Sequence, residues 1–244
     1  MAGHSKFKNI MHRKGAQDNR RAKAFTRVVK EIIVAVKSGM PDPNFNPRLR
    51  AAITAAKQVN LPKDKIDSAI KKAISGNDGV DYEEVKYEGY APGGVALIVE
   101  ALTDNRNRTA SEVRAAFSKF GGALGEQGSV GYLFRRVGLI VYDDSGDIDK
   151  DNLIEYALEL EVEDCLEEEG CMEILCSVEK YPEISEKLEQ KFGKPIESEI
   201  KWVADLMVDL DEDKSVKILK LVEALDNLDD VQSVSGNYRL AESA

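Results

Sequence analysis

The sequence has 244 residues, of which 43% are hydrophobic and 32% charged, and its formal net charge is −10. This composition is typical of a folded protein, and no apolar run approaches the roughly 20 residues that a membrane-spanning helix requires. The start of the chain lacks the apolar segment of about 7–15 residues that marks a secretory signal. Three cysteines, an odd number without paired spacing, indicate a reducing compartment, and we therefore expect a cytoplasmic protein.

Charge is unevenly distributed along the chain. The first thirty residues contain nine basic residues and a single acid, Asp18, and the first 75 residues contain seventeen basic residues against five acids, a net charge of +12. The remainder carries −22. The change falls at the turn-rich Gly76-Asn77-Asp78-Gly79, which predicts a domain boundary. A basic region on an acidic body attracts polyanions locally and repels them elsewhere.

The first predicted elements are an arm and a long helix. Residues 1–16 show no sustained periodicity, which predicts a flexible arm. A helix is predicted over 18–38, because apolar residues recur at spacings of three and four and so form one face. These apolar residues are Phe25, Val29, Ile32 and Val36. Basic residues keep the same rhythm about half a turn away, so we expect a helix that is basic on its outer face. They are Arg20, Lys23, Arg27 and Lys30.

Two shorter helices follow and complete a small bundle. Pro47 is placed to begin a second helix that runs to about Val59, and Pro62 begins a third that ends before Gly76. The predicted inward residues are Leu49, Ile53 and Ala56 in the second helix, and Ile66, Ile70 and Ile74 in the third.

Strand-like alternation begins after Gly79. Predicted strands at 83–90 and 95–102 flank Ala91-Pro92-Gly93-Gly94, which indicates a hairpin. Thr109-Ala110-Ser111-Glu112 matches a capping box, so a helix is predicted to begin there and to bury Val113, Phe117 and Phe120. Another strand is predicted at 129–134.

The second half of the chain predicts a known order of elements. It contains strand 139–142, helix 151–160, strands 163–167 and 172–178, helix 182–192 and strand 196–203, which is the βαββαβ order of the ferredoxin-like fold. The tail adds strand 206–210, helix 214–225 with Val216, Leu219 and Val222 inward, and strand 231–235. We therefore predict an α+β fold in three parts. They are a basic three-helix domain with its arm at 1–79, a discontinuous α+β domain at 80–135 and 205–244, and an inserted acidic ferredoxin-like domain at 136–204.

Residue patterns that support catalysis are missing from the sequence. The two histidines, His4 and His12, have no zinc-binding spacing, and neither a phosphate-binding glycine motif nor a nucleophile elbow occurs. The glycine-rich stretch 121–128 favours a flexible connector, the cysteines favour buried thiols, and the carboxylates of 161–169 favour a solvated face. We expect no enzymatic activity, no cofactor and no metal.

The basic N-terminal residues form the candidate site. Cations on one helical face and in the arm, interleaved with polar donors, suit contact with phosphates and sugars. The candidate nucleic-acid-binding residues are Lys6, Lys8, His12, Arg13, Lys14, Arg20, Arg21, Lys23, Arg27 and Lys30. No helix-turn-helix signature is present, so the sequence supports backbone contact more firmly than base readout. Phe7 either stacks on a base or packs on the bundle.

Long strings of the sequence resemble the YebC family. They are Ala2-Gly3-His4-Ser5-Lys6, Asn9-Ile10, His12-Arg13-Lys14, Ala16-Gln17-Asp18, Asn46-Pro47-Arg48-Leu49-Arg50, Pro62-Lys63-Asp64, Tyr87-Glu88-Gly89-Tyr90, Pro92-Gly93-Gly94 and Glu100-Ala101-Leu102-Thr103-Asp104-Asn105-Arg106-Asn107-Arg108-Thr109. The resemblance covers essentially the whole chain and weakens in the acidic ferredoxin-like part and the tail. The sequence departs from the family at Phe7, where Trp is usual, and at Met11, where Lys is frequent.

The resemblance implies a three-domain α+β fold and leaves two functions open. Bacterial family members are described as probable DNA-binding transcriptional regulators, whereas others act on ribosomes as translational activators or help translation through proline-rich stretches. We predict a nucleic-acid-binding regulator of gene expression, first as a DNA-binding transcriptional regulator and alternatively as a ribosome-associated translation factor. The expected partner is DNA or ribosomal RNA, with no membrane, and the sequence leaves the oligomeric state open.

Overall fold

The computed structural model describes residues 17–76, 81–143, 148–168 and 170–241, the side chains of 17–21 and 168 excepted. The predicted arm at 1–16 lies outside these residues. In the part of the chain so described, no helix is long and apolar enough to cross a membrane.

Three helices form the N-terminal region. They are α1 (Gln17–Ser38), α2 (Pro47–Gln58) and α3 (Lys63–Ser75). Asn46 caps α2 by accepting the Leu49 amide, and its own amide donates to the carbonyls of Ala35 and Met40, so one side chain joins the end of α1 to the start of α2. The helices share a core of buried aliphatic residues, among them Ile32, Val36, Leu49, Ala52, Ala56, Ile66 and Ala69.

The first sheet has four antiparallel strands in the order β3-β1-β2-β9. Its elements are β1 (Glu83–Ala91), β2 (Val95–Thr103), α4 (Arg106–Lys119), β3 (Ala123–Leu124) and, from the end of the chain, α7 (Glu212–Asp226) and β9 (Val231–Gly236). Strand β2 is buried on both faces. Val95, Leu97 and Val99 pack with α4 and α7, whereas Ala96 and Ile98 pack with Phe134 and Ala204 of the second sheet.

In the sequence, the second sheet is inserted between the two segments that form the first sheet. It contains β4 (Phe134–Asp143), α5 (Lys150–Glu159), β5 (Asp164–Glu168), β6 (Cys171–Cys176), α6 (Tyr181–Phe192) and β7 (Glu197–Ala204). The strand order is β5-β6-β4-β7 and every pair is antiparallel, as in the ferredoxin-like fold. Both helices pack on one face, around Ile140, Ile174 and Leu188. A short parallel pair, β8 (Val208–Asp209) and β10 (Tyr238–Arg239), completes the chain. The predicted α+β class is confirmed, while the domain limits stay a prediction.

The structure corrects two predicted helix faces. In α3 the buried residues are Ile66, Ala69 and Ala73, and Ile74 is 59% exposed. A constant spacing of four residues turns about 40° per step around a helix with 3.6 residues per turn, so Ile74 is rotated away from the core that Ile66 enters. In α7 the buried positions are Ser215, Ile218, Leu221, Val222 and Leu225, while the predicted inward residue Val216 is exposed and Leu219 is only partly buried.

Three predicted boundaries are also wrong. Helix α4 begins at Arg106, before the predicted capping box, because Asn105 accepts the Arg108 amide and acts as its N-cap. The predicted strand at 129–134 is a short 3-10 helix, Gly131–Leu133, followed by β4 from Phe134. The predicted strand at 206–210 is reduced to β8.

Candidate nucleic-acid interface

Three of the ten predicted binding residues have described side chains. Five others, Lys6, Lys8, His12, Arg13 and Lys14, lie outside the described residues. Arg20 and Arg21 belong to α1, but their side chains lie outside the described part. The remaining three, Lys23, Arg27 and Lys30, lie where α1 meets the turn between α7 and β9.

Lys30 is buried, with 8% of its surface exposed. Its ammonium group donates to Asp230 Oδ1 at 2.8 Å, to the Asp229 carbonyl at 2.9 Å and to the Leu102 carbonyl at 3.5 Å. The Tyr82 ring lies 5.4 Å from the same nitrogen. The charge of Lys30 is therefore compensated inside the protein, as a buried ammonium requires.

Asp230 is the centre of this buried network, and it is 3% exposed. Its second oxygen, Oδ2, accepts hydrogen bonds from Thr109 Oγ1 at 2.7 Å, Thr103 Oγ1 at 3.0 Å and Arg108 at 2.6 Å. Burial alone would raise the pKa of Asp230, but the hydrogen bonds from Lys30, Arg108 and Thr109 outweigh it and hold that pKa well below its usual range. The carboxylate thus stays charged and joins α1, β2, α4 and the start of β9.

Arg27 makes a second contact one helical turn earlier on α1. Its guanidinium donates to the Val231 carbonyl at 2.9 Å, and to the carbonyl and the carboxylate of Asp226 at 2.8 and 2.9 Å. Lys23, a further turn away, donates to Asn227 Oδ1 at 3.4 Å. Burial and the neighbouring charge of Arg27 lower the pKa of Lys23. We call this set of contacts, from Lys23, Arg27 and Lys30 to residues 226–231, the α1 clamp.

The prediction of an outward basic face on the first helix is therefore wrong for Lys30, which is buried, and for Arg27, whose side chain is mostly buried. Both side chains face the acidic body of the protein, where Nε and Nη2 of Arg27 and the ammonium group of Lys30 donate their hydrogen bonds. The sequence showed the basic stripe, but it gave no sign that Asp226 and Asp230, about 200 residues away, would lie opposite it.

Further cations of the helical region also face the body. Arg48 binds Glu31 on α1 through two nitrogens, at 2.7 and 3.1 Å, and also pairs with Glu84 on β1. Lys37 Nζ lies 3.3 Å from Oδ1 of Asp81, which belongs to the segment that leads to β1. The side of the helical region next to the sheets is thus neutralised by acidic residues of the body.

Other cations of the helical region are exposed and have no acidic partner within the described residues. Within the described residues, five exposed lysines of α2 and α3 have no hydrogen bond or ion pair from their ammonium groups. They are Lys57, Lys63, Lys65, Lys71 and Lys72. These residues were counted in the charge balance of the sequence but were not predicted as part of the site.

The described residues offer little for catalysis. They contain no group of three or more His, Cys, Asp or Glu side chains that could hold a metal ion. Burial raises the pKa of the Cys165 and Cys176 thiols to about 11, so neither is a reactive thiolate at neutral pH. The glycine-rich connector is not loose at its end, because Glu88 on β1 accepts the amides of Val130 and Gly131.

The fold and the α1 clamp define a three-part α+β protein with a basic helical region fastened to an acidic body. Two protein-family models match the chain, in the same order as these parts. The TACO1/YebC N-terminal domain matches residues 5–76, and the TACO1/YebC second and third domains match residues 82–238. The chain belongs to the TACO1/YebC family, which confirms the resemblance seen in the sequence.

A solved structure agrees with this assignment. The chain is 44% identical to a conserved hypothetical protein from Aquifex aeolicus, with 96% of each chain covered and a TM-score of 0.85. The model for the second and third domains bears the name of a transcription regulator. By its naming, the family is therefore regulatory rather than enzymatic.

Proposed function

We propose that this protein is a nucleic-acid-binding regulator of gene expression whose basic N-terminal region contacts the phosphate backbone. The observation that carries the proposal is the separation of charge, +12 over the first 75 residues and −22 over the rest. Such a distribution attracts a polyanion to one end of the molecule and repels it from the other, so affinity and orientation are set together. The unpaired thiols support a cytoplasmic location.

The proposed contact residues are those whose charge the body does not neutralise. We place phosphate contact on Lys6, Lys8, His12, Arg13, Lys14, Arg20 and Arg21, with Lys23 at the edge of the surface. Arg27 and Lys30 have a different part in this proposal, because their donors hold α1 against the body. The basic residues that precede them are thus joined to a helix whose position is determined by the α1 clamp.

Two targets fit this proposal. A DNA-binding transcriptional regulator is supported by the name of the family model. A ribosome-associated translation factor that binds ribosomal RNA is supported by the geometry of α1. Arg27 and Lys30 face the body, so this side of α1 is not available for the major groove, where a recognition helix reads base edges. Binding by shape and backbone, which is common for folded RNA, needs no such helix.

The first experiment separates these targets. A lysate of growing cells is sedimented through a sucrose gradient at low and moderate salt, and the protein is detected by immunoblot. Migration with ribosomes at low salt and release at moderate salt supports the ribosomal target. A protein that stays at the top, while the purified form shifts one promoter duplex in excess competitor DNA, supports the transcriptional target.

A second experiment tests the site itself. The variant Arg13→Ala, Lys14→Ala, Arg20→Ala and Arg21→Ala removes four of the proposed phosphate contacts. We expect binding to be lost while the circular dichroism spectrum and the unfolding midpoint stay unchanged. Binding that survives with an unchanged dependence on salt would contradict this assignment, since each lost phosphate contact lowers the slope of log K against log salt by about 0.7–0.9.

A further inference from the structure

The fold divides the cations of the helical region into two sets. One set faces the acidic body, where Arg27, Lys30 and Arg48 pair with carboxylates of the body. The other set has no carboxylate partner within the described residues, and four of its members belong to α3. We call these four the α3 lysines; they are Lys63, Lys65, Lys71 and Lys72, and all are exposed. Their ammonium groups have no partner within the described residues, so their charge is directed to solvent.

Two of the α3 lysines flank a groove between α1 and α3. Lys65 and Lys72 are seven residues apart, about two helical turns, so they lie along the same side of α3. The groove has a volume of about 480 Å³. Apolar side chains from both walls line it, among them Val29 and Ile33 of α1, Leu61 before α3 and Ala69 of α3. Lys30 of the α1 clamp and the Tyr82 ring close the end of the groove that is next to the body. Ser68 also lines it and is exposed.

We propose that this groove and the α3 lysines bind an unpaired segment of RNA, with phosphates at Lys65 and Lys72 and a base in the groove. The inference rests on the proposed function and adds to it a second contact surface and a class of ligand. A cationic edge beside an apolar groove is complementary to a nucleotide, which has an anionic phosphate and a flat, largely apolar base. The groove volume falls within the range of small-ligand sites, about 300–1,000 Å³.

The same features argue for an unpaired strand over a duplex. In a double helix the bases are stacked inside, and a protein meets mainly phosphates and sugars. An apolar groove next to the lysines would then contribute nothing. In loops, bulges and single strands the bases are free to leave the stack and to pack on protein side chains, which is how most specific RNA recognition works.

Charge removal tests the lysines. The full-length variant Lys65→Ala, Lys72→Ala is compared with Lys217→Ala, Lys220→Ala, which removes two exposed lysines from α7 of the body. Binding of a fluorescent single-stranded RNA is measured by anisotropy over a range of salt concentrations. For the α3 variant we expect the slope of log K against log salt to fall by about 1.4, or about 0.7 for each lost contact. The α7 variant keeps the wild-type slope.

Groove filling tests the base. In Ser68→Leu every charge is retained, and a good helix former places bulk in the groove. We expect binding of the single-stranded RNA to weaken about fivefold or more, the effect of losing one packed base, without a change in the salt slope. Binding of a duplex of the same sequence should not change. Equal weakening for both probes, or none for either, would overturn the groove assignment.

The outcomes separate the two proposals. If the wild-type protein binds none of the RNA and DNA probes, the proposed function fails. If it binds but Lys65→Ala, Lys72→Ala retains the full salt slope, or if it binds only duplex probes, the inference about α3 fails and the proposed function stands.

Discussion

Lys30 and Asp230 are separated by 200 residues in the sequence, and their side chains form a buried ion pair of 2.8 Å. The pair joins the first described helix to the turn before β9, at the other end of the chain. Around it, Thr103, Thr109 and Arg108 satisfy the second carboxylate oxygen. The basic region is thus fastened to the acidic body by a compensated charge, and its orientation follows from that contact.

Removal of the Lys30 charge should destabilise the protein strongly. Lys30→Met leaves Asp230 buried without its ammonium partner, and breaking one side of a buried pair costs about 3–5 kcal/mol. The free energy of unfolding, measured in urea, should fall by an amount near the lower end of this range, because Arg108 and both threonines still donate to the carboxylate. Lys37→Met on the same helix is the control. Its ion pair with Asp81 is at the surface, where such a pair contributes about 0–1 kcal/mol, so we expect a much smaller change.

The double variant Lys30→Met, Asp230→Leu tests the pairing itself. If the two side chains stabilise each other, the double variant loses at least about 1 kcal/mol less than the sum of the single variants. Additive losses in the same urea measurements would show that the two residues act independently.

Arg27 should contribute to stability but not to nucleic-acid binding. Its guanidinium is neutralised by Asp226 and by two carbonyl oxygens, so Arg27→Ala removes no free charge. We expect a lower unfolding midpoint and an unchanged slope of log K against log salt. A slope reduced by about 0.7–0.9 would mean that Arg27 leaves the clamp and contacts a phosphate.

Glu88 should make stability depend on acid pH. Its carboxylate accepts the amides of Val130 and Gly131 and lies 2.9 Å from Lys86 Nζ. Burial alone would raise its pKa, but these donors dominate and lower the pKa from 4.5 to about 2. The stabilisation, about 3 kcal/mol, is fully present above about pH 4.5 and is lost as the pH falls toward 2.

Glu88→Gln isolates this effect, because the amide resembles the protonated acid and does not titrate. The difference in unfolding free energy between the wild-type protein and the variant should be largest above pH 4.5 and should shrink toward pH 2. A difference that is constant over this range would show that the carboxylate charge does not hold the 128–131 turn.

The cap of α4 distinguishes the structure from the sequence-based prediction. Asn105 accepts the Arg108 amide at 3.1 Å, so Asn105→Ala should cost about 1 kcal/mol. The predicted capping box would instead make Glu112 important. In the structure Glu112 lies in the second turn of α4, too far along the helix to take part in its cap. Glu112→Ala should therefore change the free energy of unfolding by less than about 0.5 kcal/mol. The reverse order of effects in thermal unfolding would contradict the observed start of α4.

Local patterns predicted most of the elements correctly. The predicted α1 at 18–38 and α2 at 47–59 differ from the observed Gln17–Ser38 and Pro47–Gln58 by a single residue at one end. Proline, glycine and periodic apolar residues act within a few positions, so the sequence is sufficient for them. Other errors occur where a distant partner decides. Thr109 fits a cap by its neighbours, but its hydroxyl donates to Asp230 instead.

By itself the sequence determined the α+β class, the order of the ferredoxin-like elements, the separation of charge and the membership of the YebC family. Each depends on composition or on spacing within one element. Only the tertiary structure decided which cations form ion pairs with the body and which remain exposed to solvent. A lysine in the sequence carries the same charge at Lys30 and at Lys72, and the difference arises because folding places Asp230 beside one and solvent beside the other. Burial and the distance between two charges are set only when the chain folds, so the sequence alone does not show which charges are compensated.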